Sequence, residues 1–567
     1  MTFFSKAFFL NFKKMRKETK FHNTLAKVLI LSCYVQLALG QTIPDSFYNP
    51  ILPGFYPDPS ICRVGDDFYM VNSSFEWWPG IPIHQSKDLV HWNQIGHVLD
   101  RPSQLTFKPN MKWSAGIWAP TIRYHNGLFY VVVTCKQCKN ECNCGDNFMV
   151  TSTSAQGPWS DPIWIDKSWG IDPSLFFDDD GKVWYTGGGA VNDSLFGKPK
   201  FPSQHTIYIA ELDIKTGKTK SGPIPITNGH AIDAKFAEAP HIYKRNGKYI
   251  LLISEGGTWR NHAVTGFLSD SITGPYISFQ QNPLLTHRHL GSNADISTVG
   301  HADMVETQNG EWWAVVLGVR DSTGFNQLGR ETFLTKVEWQ GNVPVFNPGI
   351  GRVLMKDRRP SLPWTPLEHH QTKDDFDQPK LKINWNFLRT PFKRVYSLTE
   401  KLGYLTLSLQ PETIKEWTNP ALIARRIQHT HFEASIKLSF HPHQKNEVSG
   451  LIAMQNDVGQ FRMEKGQDSI RLYKVSKIDG EKLIQAVAYS PEIVYFKIVG
   501  KGLYIQFYFG SSESEYKPLS GFQDATIISS NKAGGFIGPF IGIYASSNGQ
   551  KSSSKAYFDW FEYKSVH

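Results

Sequence analysis

Apolar and polar positions alternate in short runs along the first two-thirds of this chain, and five of those runs share one plan. They are DPSICRVGDDFYMV from Asp58, APTIRYHNGLFYVVV from Ala119, DPSLFFDDDGKVWYTG from Asp172, APHIYKRNGKYILLI from Ala239 and ADMVETQNGEWWAVV from Ala302. Each has a two-residue opening (Pro second in four of them, Asp303 in the fifth), an apolar-rich run, a polar turn with Gly, and an aromatic-rich second run. Such alternation across a tight turn predicts a β-hairpin in every unit. The units start 53 to 67 residues apart, a period that predicts a β-propeller with one blade per repeat. Between them, Ser86–Trp92, Gly157–Trp164 and Gly274–Phe279 are expected to form outer blade strands.

The repeat stops near residue 350. The stretch Asp357–Asp377, with RRPSLPWTP inside it, has the Pro-rich, charged composition of a linker laid over a surface. From about Phe376 the alternation returns with a different rhythm, as in LGYLTLSL, FEASIKLSF, EVSGLIAMQ and AYFDWFEY, which predicts a two-sheet β-sandwich. No long stretch carries helical periodicity, and aromatics make up 13% of the chain. The expected class is all-β, a five-bladed β-propeller followed by a C-terminal β-sandwich. The expected boundaries are a propeller over 45–355, a linker over 356–375 and a sandwich over 376–567.

The net charge of +9 changes meaning once its distribution is considered. Residues 1–27 carry Lys6, Lys13, Lys14, Arg16, Lys17, Lys20 and Lys27 against Glu18 alone, and the apolar run Val28–Gly40 follows. That is a basic region, an apolar region and a small-residue cleavage signal, so residues 1–40 are expected to be an export leader, with Met15 an alternative start. The apolar run is short for a membrane span, and Leu31 before Cys33 fits a lipidation signal poorly. Cleavage after Gly40 leaves a nearly neutral chain, which argues against nucleic acid as a partner. The expected location is secreted, periplasmic or cell-surface, with no stable membrane span. Four of the remaining cysteines crowd CKQCKNECNC (Cys135, Cys138, Cys142, Cys144). One or two local disulfides are the plainer reading in an oxidising compartment, and zinc the rarer one. Cys62 is the natural odd thiol.

Aligning the repeats on their second residue brings Asp58 and Asp172 to one position, and Trp118, Glu238 and His301 to the position before it. Taken singly, Asp-Pro is a common turn dipeptide, Glu238 a channel-lining residue, His301 a core histidine and Trp118 packing. Taken together they bring three carboxylates to one axis. Like charges raise one another's pKa, so such grouping calls for a cation or a catalytic task. Hydrolysis of a glycosidic bond needs a protonated acid at the leaving oxygen and an ionised base on the water. DDDG at Asp178–Gly181 falls at a hairpin turn and lacks the downstream Glu of a calcium loop.

The motifs NPILPGFYPDPSI, SSFEWWPGIPIHQSKDLVHW, GIWAPTI, GIDPSLFFDDDGK, AEAPHIYK, EGGT, VGHADMVE and LGRETFL together resemble glycoside hydrolase family 43, in its β-xylosidase and α-L-arabinofuranosidase branch, over residues 45–567. The resemblance implies an inverting exo-glycosidase that removes a terminal pentose, xylose ahead of arabinose, from xylo-oligosaccharides, xylan or arabinoxylan. It implies Asp58 as general base, Glu238 as general acid and Asp172 as the carboxylate that tunes and orients the acid. Phe75 and Trp118 are the implied sugar-lining aromatics and Arg320, of LGVR, the implied substrate-contacting arginine. His301 is implied as the channel residue that holds a structural calcium or a water in some members; no cofactor is required. The sandwich resembles the family's lectin-like domain, which can lend a loop to the pocket rim. The pair Trp77–Trp78 makes that rim unusually aromatic, with stacking on a sugar and surface packing as its two readings.

Overall fold

The protein is described from a computed structural model over residues 43–138, 145–191, 197–322, 324–368 and 371–566. The leader expected over residues 1–40 lies outside the described residues, as do Cys142 and Cys144. Helix is confined, among the described residues, to Ala525–Ile528 and Ser530–Ala533. The propeller and the sandwich both belong to the compact unit Tyr48–His567.

Five antiparallel sheets, each built from one repeat, form the propeller. Their first strands are Ser60–Val64, Gly116–His125, Ile171–Phe177, Glu238–Arg245 and Ser297–Glu306. Each first strand touches the first strands of its two neighbours, and Ser60–Val64 touches Ser297–Glu306, so the ring closes around these five. Apolar faces of adjacent blades pack on one another; Ile250, Leu252 and Val264 meet Met304, Val316 and Phe333 in one such layer. The seam is pinned by the segment before the first repeat. Asn49 exchanges two 2.9 Å hydrogen bonds with the backbone of Leu334, and Leu52 pairs with Thr332.

The outer strands differ from the expectation. After Ser86 the chain curls, because Asp88 Oδ1 accepts from the backbone N–H groups of Val90 and His91, and the outer strand is Asn93–Leu99. An aspartate two and three residues ahead of free N–H groups competes with the ladder for them. In Gly157–Trp164 and Gly274–Phe279 only Ile163–Trp164 and Ile277–Ser278 are strand. DDDG is a turn, with Asp178 also accepting from Lys244 and the Tyr249 hydroxyl.

The C-terminal part is a sandwich of a nine-stranded and an eight-stranded sheet. Inward-facing Ile436, Leu438, Phe496, Phe507, Ile543 and Phe558 fill the space between them. One edge strand of the eight-stranded sheet comes from the propeller: Trp77–Trp78 pairs antiparallel with Asn386–Leu388. Both tryptophans are buried, and Trp77 stacks on Phe540 with ring centroids 3.7 Å apart. The aromatic pair assigned to the rim is therefore a domain joint. A WW dipeptide shows how much apolar surface must be covered: a sheet more than 300 residues downstream covers Trp77, and Trp78 packs among propeller residues, edge-on to Phe107.

Candidate active site

The four prolines that open the repeats have no N–H to give to a sheet ladder, so the innermost strands are irregular where they begin. Registers shift between Ile117 and Pro120, Ile171 and Ser174, and Glu238 and His241. At the same level Asp58 (φ 53°), Asp172 (φ 52°), Ala239 (φ 51°) and His301 (φ 50°) take left-handed backbone conformations. Such conformations in non-glycine residues cost about 1–3 kcal/mol each and cluster at functional sites. Bulges of this kind re-aim side chains, here toward one cavity.

That cavity has a volume of about 300 Å³, and Asp58, Asp172, Glu238, His301, Phe75 and Trp118 all line it. Asp58 is nearly buried. Its Oδ2 accepts from Ser73 Oγ at 2.6 Å and its Oδ1 from Arg330 Nη1 at 2.7 Å, donors that suit an ionised carboxylate. Asp172 accepts from the backbone N–H of Ala239, yet its pKa stands well above the ordinary carboxylate range. Burial is the largest cause, followed by the charges of Glu238 and then Asp58. The like charges of Glu238 and Asp58 thus make ionising Asp172 costly and favour its neutral form. Glu238 Oε1 lies 3.3 Å from His205 Nδ1.

His301 sits 3.8 Å from Asp58 Oδ1, and burial pushes its pKa down, so the ring is neutral. Among the described residues no three His, Cys, Asp or Glu side chains are grouped to hold a metal. The one carboxylate beside His301 is already paired with Arg330, and further along the ring Arg123 forks between Asp303, at 2.8 Å, and His241 Nδ1, at 2.9 Å.

Arg320 is absent from the cavity lining. Its guanidinium is bidentate on Glu331, with both contacts at 2.7 Å. The arginine that does line the cavity is Arg330 of LGRETFL. Besides Asp58 it donates from Nε and Nη2 to the backbone carbonyl of Phe536, a sandwich residue whose ring also lines the cavity. His205, Phe236, Gly257, Thr258 and Trp259 complete the wall. EGGT and LGRETFL marked two of these segments in the sequence; nothing local marked His205 or Phe536. Phe75 and Trp118 are held together by pairing of Phe75 with Ile117. Gly116 is required there, because a Cβ on it would lie 2.3 Å from the Phe75 carbonyl oxygen. Of the cysteines, Cys135 and Cys138 are joined in a disulfide and Cys62 is a buried free thiol.

A small cavity walled by aromatics, ringed by strained strand starts and lined by three carboxylates holds the kinds of group that hydrolysis of a glycosidic bond requires. The comparisons narrow that chemistry. Residues 47–344 match the family described as Glycosyl hydrolases family 43, and residues 373–564 match the Beta xylosidase C-terminal Concanavalin A-like domain. The chain belongs to glycoside hydrolase family 43. It is 38% identical to the xylosidase/arabinosidase of Butyrivibrio fibrisolvens, over 91% of this chain and 99% of that one. It is 34% identical to a non-reducing end alpha-L-arabinofuranosidase of Bacteroides ovatus, over 95% and 98%. Among solved structures, xylan beta-1,4-xylosidase from Bacillus halodurans superposes with a TM-score of 0.83 at 35% identity, over 91% of this chain and all of that one.

Proposed function

We propose that the protein is an exported, inverting exo-glycosidase that releases a terminal, non-reducing-end β-1,4-linked D-xylose from xylo-oligosaccharides or xylan. The observation that carries this reading is the meeting of Asp58, Asp172 and Glu238 in one cavity of a size for about one pentose and its water. In this reading Asp58 takes a proton from water as the oxygen attacks the anomeric carbon. Glu238 gives its proton to the departing oxygen as the old C–O bond breaks. Asp172 tunes and orients Glu238, and Phe75 and Trp118 pack on the sugar. No step runs through a metal. Export rests on residues 1–40 and on the local disulfide; among the described residues no helix is long and apolar enough to cross a membrane.

A second reading, α-L-arabinofuranosidase activity on arabinoxylan or arabinan, is favoured by relatives of similar identity that carry both names. A panel of nitrophenyl β-D-xyloside, nitrophenyl α-L-arabinofuranoside, xylobiose and arabinoxylan separates the two. Proton NMR of the first-formed anomer tests inversion. Binding without release of pentose on any of them defeats the proposal and leaves a carbohydrate-binding propeller.

A further inference from the structure

Ser114 lies in the turn before the second propeller repeat and belongs to no strand. Its backbone is left-handed (φ 62°), a conformation uncommon for a residue with a side chain. Three of its polar groups go to three different elements. The N–H donates to Glu76 Oε2 at 3.1 Å, and Glu76 is fully buried between Phe75 and the domain-joining Trp77. The carbonyl accepts from Trp118 Nε1 at 3.0 Å. The hydroxyl oxygen accepts from the backbone N–H of Phe536 at 2.9 Å.

Each partner bears on the cavity. Trp118 and Phe536 are two of its walls, with rings 6.1 Å apart and edge-on. The Phe536 carbonyl receives two of the donors of Arg330, whose third contact is Asp58. The path from Ser114 to Asp58 is therefore unbroken: Ser114 Oγ, the Phe536 peptide, the Arg330 guanidinium, the Asp58 carboxylate. The loop that brings Phe536 approaches without a side chain at Gly535 (φ 83°), where a Cβ would lie 2.5 Å from Ser114 Oγ. Contact this close, through a hydroxyl on one domain and a glycine on the other, fixes the loop in one position.

We infer that Ser114 is a positioning residue for the reaction, the latch that holds the sandwich loop Gly535–Phe536 against Trp118 and Arg330 and so completes the sugar pocket. The inference rests on the glycosidase reading. Ser114→Gly keeps the left-handed backbone and both backbone hydrogen bonds and removes the hydroxymethyl group that carries the latch. Gly535→Ala drives the same contact apart from the opposite side.

Steady-state kinetics of the full chain on a nitrophenyl pentoside and on xylobiose test it, with Tm measured alongside. One hydrogen bond of this kind is worth about 0.5–1.5 kcal/mol. Ser114→Gly is therefore expected to lower kcat/KM about threefold to tenfold, mostly through a higher KM, with Tm nearly unchanged. Gly535→Ala, strained at φ 83°, is expected to raise KM likewise but with a lower Tm, and the double variant to add little to the KM of either. A purely structural role would lower the active fraction, hence kcat, and leave KM alone. KM unchanged within twofold in both single variants overturns the inference. Absence of pentoside hydrolysis by the wild-type chain is a different result and strikes the functional reading instead.

Discussion

Removal of the Arg330 charge is the perturbation that best separates the geometry of this site from the expectation read off its motifs. Arg330→Met keeps most of the side chain's bulk and leaves Asp58 without its cation. Both partners are nearly buried and 2.7 Å apart. Breaking such a pair by deleting one member costs about 3–5 kcal/mol, because the remaining charge is stranded. Asp58 would keep only the Ser73 hydroxyl, since the neighbouring His301 ring is neutral. The carboxylate is then buried with no cation to hold and orient it. At about 1.36 kcal/mol per factor of ten, kcat/KM at neutral pH is expected to fall on the order of 10²–10⁴-fold. Arg320→Gln is the paired control. It leaves the buried Glu331 with the Gly54 N–H as its remaining donor, so Tm should drop, while KM and kcat on pentosides stay within about threefold. The measurement is kcat/KM against pH for the three proteins. If Arg320→Gln loses catalysis and Arg330→Met keeps it within tenfold, the reasoning from the cavity is wrong.

Glu238→Gln is expected to lose about 10²–10⁴-fold on xylobiose, with partial rescue on substrates whose leaving group needs no proton; equal losses on both would sink the acid assignment. Asp172 is the carboxyl that burial and the charge of Glu238 hold well above the ordinary range, so Asp172→Asn should shift the basic limb of kcat/KM; an unmoved limb contradicts a part for it in the reaction. Burial pushes the Glu76 carboxyl up to about 8 against an ordinary value of 4.5. The folded state therefore holds a proton that the unfolded chain releases, and stability falls as pH rises between those values. Tm against pH from 4.5 to 8 should decline in the wild type, by the equivalent of up to about 4–5 kcal/mol. The decline should be shallower in Glu76→Gln, and parallel curves would refute the assignment.

What the sequence disclosed follows from where each signal is stored. Asp58, Asp172 and Glu238 sit at fixed places in a repeat, and a repeat that builds a closed ring forces equivalent places to one axis. Strand alternation carried the five blades and the sandwich for the same reason, since period two sets which face is buried. Arg320 and Arg330 show the limit. One follows the second strand of the fifth blade and the other precedes the third, so an antiparallel pairing brings both to the same end. Which of them turns inward depends on Glu331, a buried carboxylate that takes Arg320. That choice is made in three dimensions and leaves no mark on either motif. Trp77 and Phe536 were beyond reach for a related reason, because their partners belong to the other domain.

Those two residues also explain why the sandwich is better regarded as part of the active site than as an appended module. The core that joins the domains contains Phe55, Phe75 and Trp77 from the propeller with Leu388, Leu422, Phe540 and Tyr544 from the sandwich, and Trp118 packs on it. Phe75 and Trp118 therefore have one face on the sugar cavity and another on the domain joint. Arg330 divides its donors the same way, one to the propeller's Asp58 and two to the sandwich's Phe536. A propeller stripped of its partner would expose Trp77 and the apolar backs of both cavity walls, and would leave two buried guanidinium donors without acceptors. Burial and hydrogen bonding thus oppose any opening of this interface. The pocket keeps its shape because taking it apart means taking the two domains apart.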